Sequence, residues 1–244
     1  MQPDERRKWV ADLNKQGHRL SSLAMIAMTH RLIKPGRLAL VSSFGAESVV
    51  LLHLVAQVDA DLPVLFIDTD LLFTETLRYQ QQVSSLLGLT NVQVIRANAD
   101  QHARIDPLGQ LHQSDPDACC HFRKTAPLNH ALRHFDGWIS GRKRCQGSSR
   151  ATVAWFEMDP DRDKIKFNPL AQWSRNDVDH YLTKNKLPRH PLVNMGYPSI
   201  GCLPCTSPVA TGEDPRSGRW PGQTKTECGL HGPRPPNQPE RPNV

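Results

Sequence analysis

Apolar and charged residues alternate at helical spacing over residues 4 to about 33, predicting helices packed beside a main domain, and Pro35-Gly36 ends them. Leu38-Ala39-Leu40-Val41 is a short, wholly apolar run. It leads through Ser42-Ser43-Phe44-Gly45-Ala46-Glu47-Ser48 into an apolar stretch over 49–58, a pattern that reads as strand, tight turn and helix. Val64-Leu65-Phe66-Ile67 predicts a second strand, Asp68-Thr69-Asp70 a turn, and residues 74–87 a helix. Residues 92–96 predict a third strand and Trp138-Ile139-Ser140 a fourth. Ser174-Arg175-Asn176-Asp177 resembles a capping box and opens a helix reaching about residue 185.

Apolar strands alternating with helices of this length predict an α/β fold, a mainly parallel sheet with helices on both faces. Ligands of such sheets bind beyond the carboxyl ends of the strands. The loops at 42–48, 68–70 and 141–150 are therefore expected to face one crevice. From 191 to 223 Gly and Pro recur without periodicity, which predicts loop, and 232–244 is so rich in Pro that disorder is expected. No internal repeat is visible.

At 244 residues the chain is long enough for one such domain plus a mobile arm. No stretch approaches the roughly 18 consecutive apolar residues of a membrane span, and Met1-Gln2-Pro3-Asp4-Glu5-Arg6-Arg7 lacks the apolar core of a signal peptide. A soluble, cytoplasmic protein is expected, with no membrane partner. The net charge of +6 is compatible with nucleic acid or with a small polyanion. Arg and Lys gather in short groups, Gly141-Arg142-Lys143-Arg144 and Arg216-Ser217-Gly218-Arg219, which suits pockets for phosphate-like groups better than a nucleic-acid stripe.

Six cysteines in a chain of this kind read as ligands or reactive thiols rather than staples. Cys119 and Cys120 are adjacent, with Cα atoms about 3.8 Å apart, too close for an ordinary disulfide with each other. Cys202-Leu203-Pro204-Cys205 has the gap that lets two thiolates reach one metal site. Two pairs give four ligands, which fit zinc or a 4Fe-4S cluster alike. Cys228 lies outside both pairs, where an exposed thiol can attack one partner and be attacked by another. Cys145 belongs to no pair and is given no role. His112, His121, His130, His134, His180 and His190 lack metal-type spacing and are read as structural or surface residues.

Three separated motifs resemble one known family: Cys119-Cys120-His121-Phe122-Arg123-Lys124-Thr125-Ala126-Pro127-Leu128, Gly201-Cys202-Leu203-Pro204-Cys205-Thr206, and Lys225-Thr226-Glu227-Cys228-Gly229-Leu230-His231. They look like the sulfonucleotide reductases, in particular the adenylyl-sulfate branch, over about 38–231. The resemblance implies an adenine nucleotide alpha hydrolase-like fold with a C-terminal mobile arm. It implies a 4Fe-4S cluster on Cys119, Cys120, Cys202 and Cys205, and Cys228 as catalytic nucleophile. Lys124, Arg216, Arg219 and His231 match residues that line the substrate site. The implied activity is reduction of adenylyl sulfate to sulfite and AMP in assimilatory sulfate reduction, through a sulfonyl group carried on Cys228 and released by thioredoxin or a similar dithiol protein.

On this reading residues 1–35 form a helical segment, 36–205 a nucleotide-binding domain with the iron-sulfur ligands, 206–231 the catalytic arm and 232–244 the tail. The oligomeric state is left open, a homo-oligomer included. Residues 42–48 look like a degraded phosphate loop of ATP pyrophosphatases, with Phe44 and Ala46 in place of small residues, so an AMP-type phosphate is expected there rather than pyrophosphate. Three other readings compete. One is a reductase of 3′-phosphoadenylyl sulfate, against which the cysteine pairs argue. Another is an ATP-dependent thiolation or adenylation enzyme, which leaves the Cys228 motif unused. The third is a zinc-stabilised nucleic-acid-binding module, which leaves both Cys228 and the crevice unexplained.

Overall fold

The computed structural model describes residues 3–147, 150–159, 161–223 and 225–231, so the tail expected at 232–244 lies outside the described residues. Helices α1 (Pro3–Gly17) and α2 (Ser22–Leu32) open the chain. Ser21 caps α2 by accepting from the Ala24 N–H at 3.2 Å. Strands β1 (Leu38–Ser42) and β2 (Val64–Ile67) flank helix α3 (Ser48–Ala56), and α4 (Thr74–Leu86) leads to β3 (Val92–Ile95). A helical stretch follows in short pieces: α5 (Ala99–Ile105), α6 (Leu111–Ser114), α7 (Pro116–Cys120), a π-helical turn over His121–Thr125, and α8 (Ala126–Ala131). Strands β4 (Gly137–Ile139), β5 (Phe156–Asp159) and β6 (Lys164–Phe167) complete the sheet before α9 (Arg175–Lys184).

The sheet runs β3-β2-β1-β4-β6-β5. All neighbours are parallel except the β5–β6 pair, an antiparallel hairpin at one edge. β2 is buried along its whole length, as expected of a strand covered on both faces, whereas the central residues of edge strand β3 are exposed. Alternate residues sort the two faces. Leu38, Leu40, Val64, Phe66, Ile139 and Phe167 pack with side chains of α1 to α4 and α9. Ala39, Leu65, Ile67 and Trp138 pack against Leu128 and Leu132 at α8.

β5 and β6 carry no apolar pattern that would announce them. Glu157 and Lys166, paired in the ladder register, point the same way and form an ion pair at 3.3 Å, with Arg142 bonded to the same carboxylate. The expected capping box is present: Ser174 Oγ accepts from the Asp177 N–H at 3.2 Å and Asp177 accepts from the Ser174 N–H at 2.8 Å. Among the described residues no helix is long and apolar enough to cross a membrane.

His190, expected to be structural or at the surface, is fully buried. Its Nδ1 accepts from the Leu192 N–H at 3.2 Å and its Nε2 lies 3.1 Å from Thr76 Oγ1, which fixes a neutral ring protonated at Nε2. Burial lowers its pKa to about 4. The unfolded chain takes up this proton near pH 6.5 and the folded chain only near 4, so the stability His190 confers is complete above about 6.5 and lost as pH falls towards 4. Urea unfolding should show up to about 2 kcal/mol lost between pH 7 and 5, a loss smaller in His190→Gln; identical pH profiles for the two proteins would contradict the assignment.

Candidate active site

The strand order reverses between β1 and β4, and a cavity of about 260 Å³ opens beyond their carboxyl ends. The loops at 42–48 and 141–150 both line it, with Thr69 from the turn after β2. The first loop is tightly wound: Phe44 has a left-handed φ of 46° and packs its buried ring edge-on against Phe66 at 5.2 Å. The Phe44 N–H donates to Ser42 Oγ at 3.2 Å and the Gly45 N–H to Ser48 Oγ at 2.9 Å. Lys143, buried, ties the two loops together through Glu47 at 2.8 Å. Cys145 also lines the cavity, but its thiol donates to Trp173 O at 3.2 Å and burial raises its pKa.

The cysteine pairs meet at the turn after β2. Leu72 bridges Cys202, the Leu203 N–H donates to Leu71 O at 2.8 Å, and Thr69 Oγ1 lies 3.2 Å from Cys202 Sγ. From the opposite side Arg123, 2 % exposed, donates to Thr69 O at 2.8 Å and pairs with buried Asp106 at 2.7 Å. Arg123 stands on the π-helical turn that directly follows Cys119-Cys120. Pro127, with no N–H to give, stands in the first turn of the next helix. The turn thereby aims Arg123 at the strand end while holding both cysteines inward.

All four paired cysteines are buried and reduced. Burial, helped by Cys120 and opposed by Arg123, pushes the Cys119 thiol up to about 12, and burial likewise raises Cys120 and Cys205. Bare thiolates are therefore disfavoured there, whereas a bound metal centre would deprotonate them. Among the described residues no three His, Cys, Asp or Glu side chains converge on one ion position. Four buried thiols gathered at one strand end are a donor set that suits an iron-sulfur cluster or a zinc ion alike.

Residues 206–220 fold back on the second pair: Thr206 bridges Arg219, and the Trp220 N–H donates to Cys205 O at 3.1 Å. Arg219 lies over the Trp220 ring at 4.5 Å, and its buried Nε has no partner among the described residues. Gly201 makes room for it, since a Cβ there would stand 2.3 Å from Arg219 Nη2. Cys228, half-buried, packs with Cys202, Cys205 and Trp220 and lines the cavity together with Lys124, Arg216 and Arg219. Burial opposes the Lys124 charge, yet the sulfurs of Cys202, Cys228 and Cys120 hold its pKa above the ordinary lysine value.

The arm ends docked on the sheet. His231 stacks on Trp138 at 5.4 Å, and Arg162, bonded to Asp159 at 2.7 Å, donates to Leu230 O at 3.3 Å. Burial, then Lys166, Arg142, Arg150 and Arg162, hold the His231 ring well below its ordinary pKa, so it is neutral. The residues expected to act as nucleophile, substrate contacts and cysteine ligands thus lie at the crevice or on its cysteine wall.

A solved phosphoadenylyl-sulfate reductase from Candida auris, in a phosphate complex, shares this architecture with a TM-score of 0.68 at 23% identity, over 82% of this chain and 96% of that one. The fold and its crevice define an adenine nucleotide alpha hydrolase-like α/β protein. More narrowly, the chain belongs to the phosphoadenosine phosphosulfate reductase family, whose domain matches residues 37–208. An adenosine 5′-phosphosulfate reductase of Mesorhizobium japonicum is 50% identical over 88% of this chain and 84% of its own length. A phosphoadenosine 5′-phosphosulfate reductase of Gloeobacter violaceus is 42% identical over 80% of this chain and 82% of its own.

Sequence reasoning missed the anchoring role of Arg123. Its partner Asp106 lies 17 residues upstream, and nothing in the spacing marks either as buried. Arg123→Met should lower stability by about 3–5 kcal/mol by urea unfolding, because Asp106 is left buried and unpaired, and adding Asp106→Asn should restore part of it. A loss below about 1 kcal/mol in the single variant would contradict this role.

Proposed function

We propose that this chain is a thioredoxin-dependent adenylyl-sulfate reductase acting in sulfate assimilation, with Cys228 as its nucleophile. One observation carries the reading: a half-buried thiol stands beside four buried cysteines in a crevice lined by Lys124, Arg216 and Arg219. The 50% identical relative named for the same activity supports it.

Cys119, Cys120, Cys202 and Cys205 would hold a 4Fe-4S cluster, which supplies local structure and a fixed electrostatic field beside the thiol. Lys124, held charged among the sulfurs, Arg216 and Arg219 bind the phosphate and sulfate of the nucleotide. The Cys228 thiolate attacks the sulfonyl sulfur, the bond from that sulfur to the phosphate oxygen breaks, and AMP leaves with the electron pair. The product is S-sulfocysteine on the arm. A thiolate of the external dithiol then attacks the Cys228 sulfur and sulfite departs. The second thiol resolves the mixed disulfide, so the dithiol supplies the two electrons. Neutral His231, stacked on Trp138, anchors the arm end during attack. A reducing, cytoplasmic setting suits the six thiols.

Domain roles follow the same reading. Residues 1–35 buttress the sheet, 36–205 bind nucleotide and cluster, and 206–231 form the catalytic arm.

The protein incubated with adenylyl sulfate alone should release about one AMP per chain and gain one sulfonate on Cys228, by the stoichiometry of a covalent intermediate. Thioredoxin should then liberate sulfite. Absence of the adduct in wild type, or its persistence in Cys228→Ser, overturns the proposal.

A second reading, reduction of the 3′-phosphorylated nucleotide, is favoured by the 42% identical relative named for it. Catalytic efficiency with adenylyl sulfate should exceed that with the 3′-phosphorylated form by at least about a hundredfold, the scale of a well-discriminating polar site. Equal efficiencies would favour the second reading.

A further inference from the structure

Glu227, directly before Cys228, is a carboxylate placed among guanidinium groups that face an anion-binding crevice. Arg150 holds it in a bidentate grip, Nε to Oε1 at 2.7 Å and Nη2 to Oε2 at 2.8 Å. Arg150 Nη1 in turn donates to Gln146 at 2.6 Å. Arg216 approaches the same carboxylate at 3.5 Å and donates to Thr226 O at 2.8 Å. Arg150, Arg216, Arg219 and Cys228 all line the cavity. The contact therefore joins the arm to the basic loop at the residue next to the reactive thiol. A bidentate pair fixes orientation as well as distance.

We propose that Glu227 is a positioning residue: through Arg150 and Arg216 it holds the arm over the crevice and sets Cys228 against the bound nucleotide, at some expense of anion affinity. The proposal rests on Cys228 being the nucleophile. Burial and the neighbouring Arg150 both press the Arg216 pKa down, which reflects the crowding of positive charge that Glu227 relieves. The carboxylate also repels the phosphate and sulfate that must bind these same guanidiniums. Removing its charge should then loosen the arm and improve nucleotide binding together. A contact that served stability alone would not lower the half-saturating concentration.

The test uses the full-length holoprotein, wild type beside Glu227→Gln and Glu227→Asp, with iron content and melting temperature confirming folding. Iodoacetamide labelling of Cys228 without nucleotide should be severalfold faster in Glu227→Gln. Single-turnover AMP release with adenylyl sulfate should be about tenfold slower at saturation, with a severalfold lower half-saturating concentration. Glu227→Asp should fall between the two. Unchanged labelling, or a raised half-saturating concentration in Glu227→Gln, overturns the proposal. If Glu227→Gln does not fold, the same criteria apply to Glu227→Asp. Failure of wild type to form any adduct would remove Cys228 as nucleophile, while the labelling rates still report whether Glu227 holds the arm.

Discussion

At the turn leaving β2, Thr69 is bonded from two directions: its carbonyl by Arg123 from the helix after the first cysteine pair, its hydroxyl by Cys202 of the second. These contacts bring Arg123 and Cys202, 79 positions apart in sequence, to one strand end. Arg123 spans the gap because its guanidinium also finds Asp106 within the same apolar surroundings, and a buried charge of this kind persists only when paired and hydrogen-bonded. The cysteine wall, the fold-back of residues 206–220 and the position of Cys228 all build outward from that turn.

The electrostatics of the crevice follow from what the wall excludes. The Cys120 and Cys205 thiols, raised by burial, sit beside Lys124, and Arg219 lies between the Trp220 ring and the bare backbone of Gly201. Half-buried cations held so close to sulfur would act on a bound anion with less screening than cations in open water. The adjoining loop supplies Arg150, and the arm supplies its own carboxylate in return. On the proposed reading, attraction for an anionic nucleotide and retention of the arm would draw on one set of guanidinium groups.

Much of this was legible in the sequence, for physical reasons. β1, β2 and β4 are parallel strands covered on both faces, so their apolar runs stand out, and α9 announces itself through the Ser174 cap. The crevice followed from strand topology, and the cysteines from spacing and the family resemblance. The β5–β6 hairpin was not legible, because Glu157 and Lys166 neutralise each other inside the sheet and break the apolar pattern. Nor were Arg123 and Glu227, since a charged side chain reads as solvated until a distant partner is known. Both matter through pairings across long separations, 17 residues to Asp106 and 77 to Arg150.

On the proposed reading four buried cysteines hold a cluster beside a fifth, reactive one. That reading is tested most directly by iron and acid-labile sulfide analysis of Cys228→Ser and of Cys202→Ser, both purified without oxygen. About four iron and four sulfide per chain are expected in Cys228→Ser, as in wild type, with loss of both in Cys202→Ser. Stoichiometric zinc without sulfide, or iron lost equally from the Cys228→Ser protein, would contradict it.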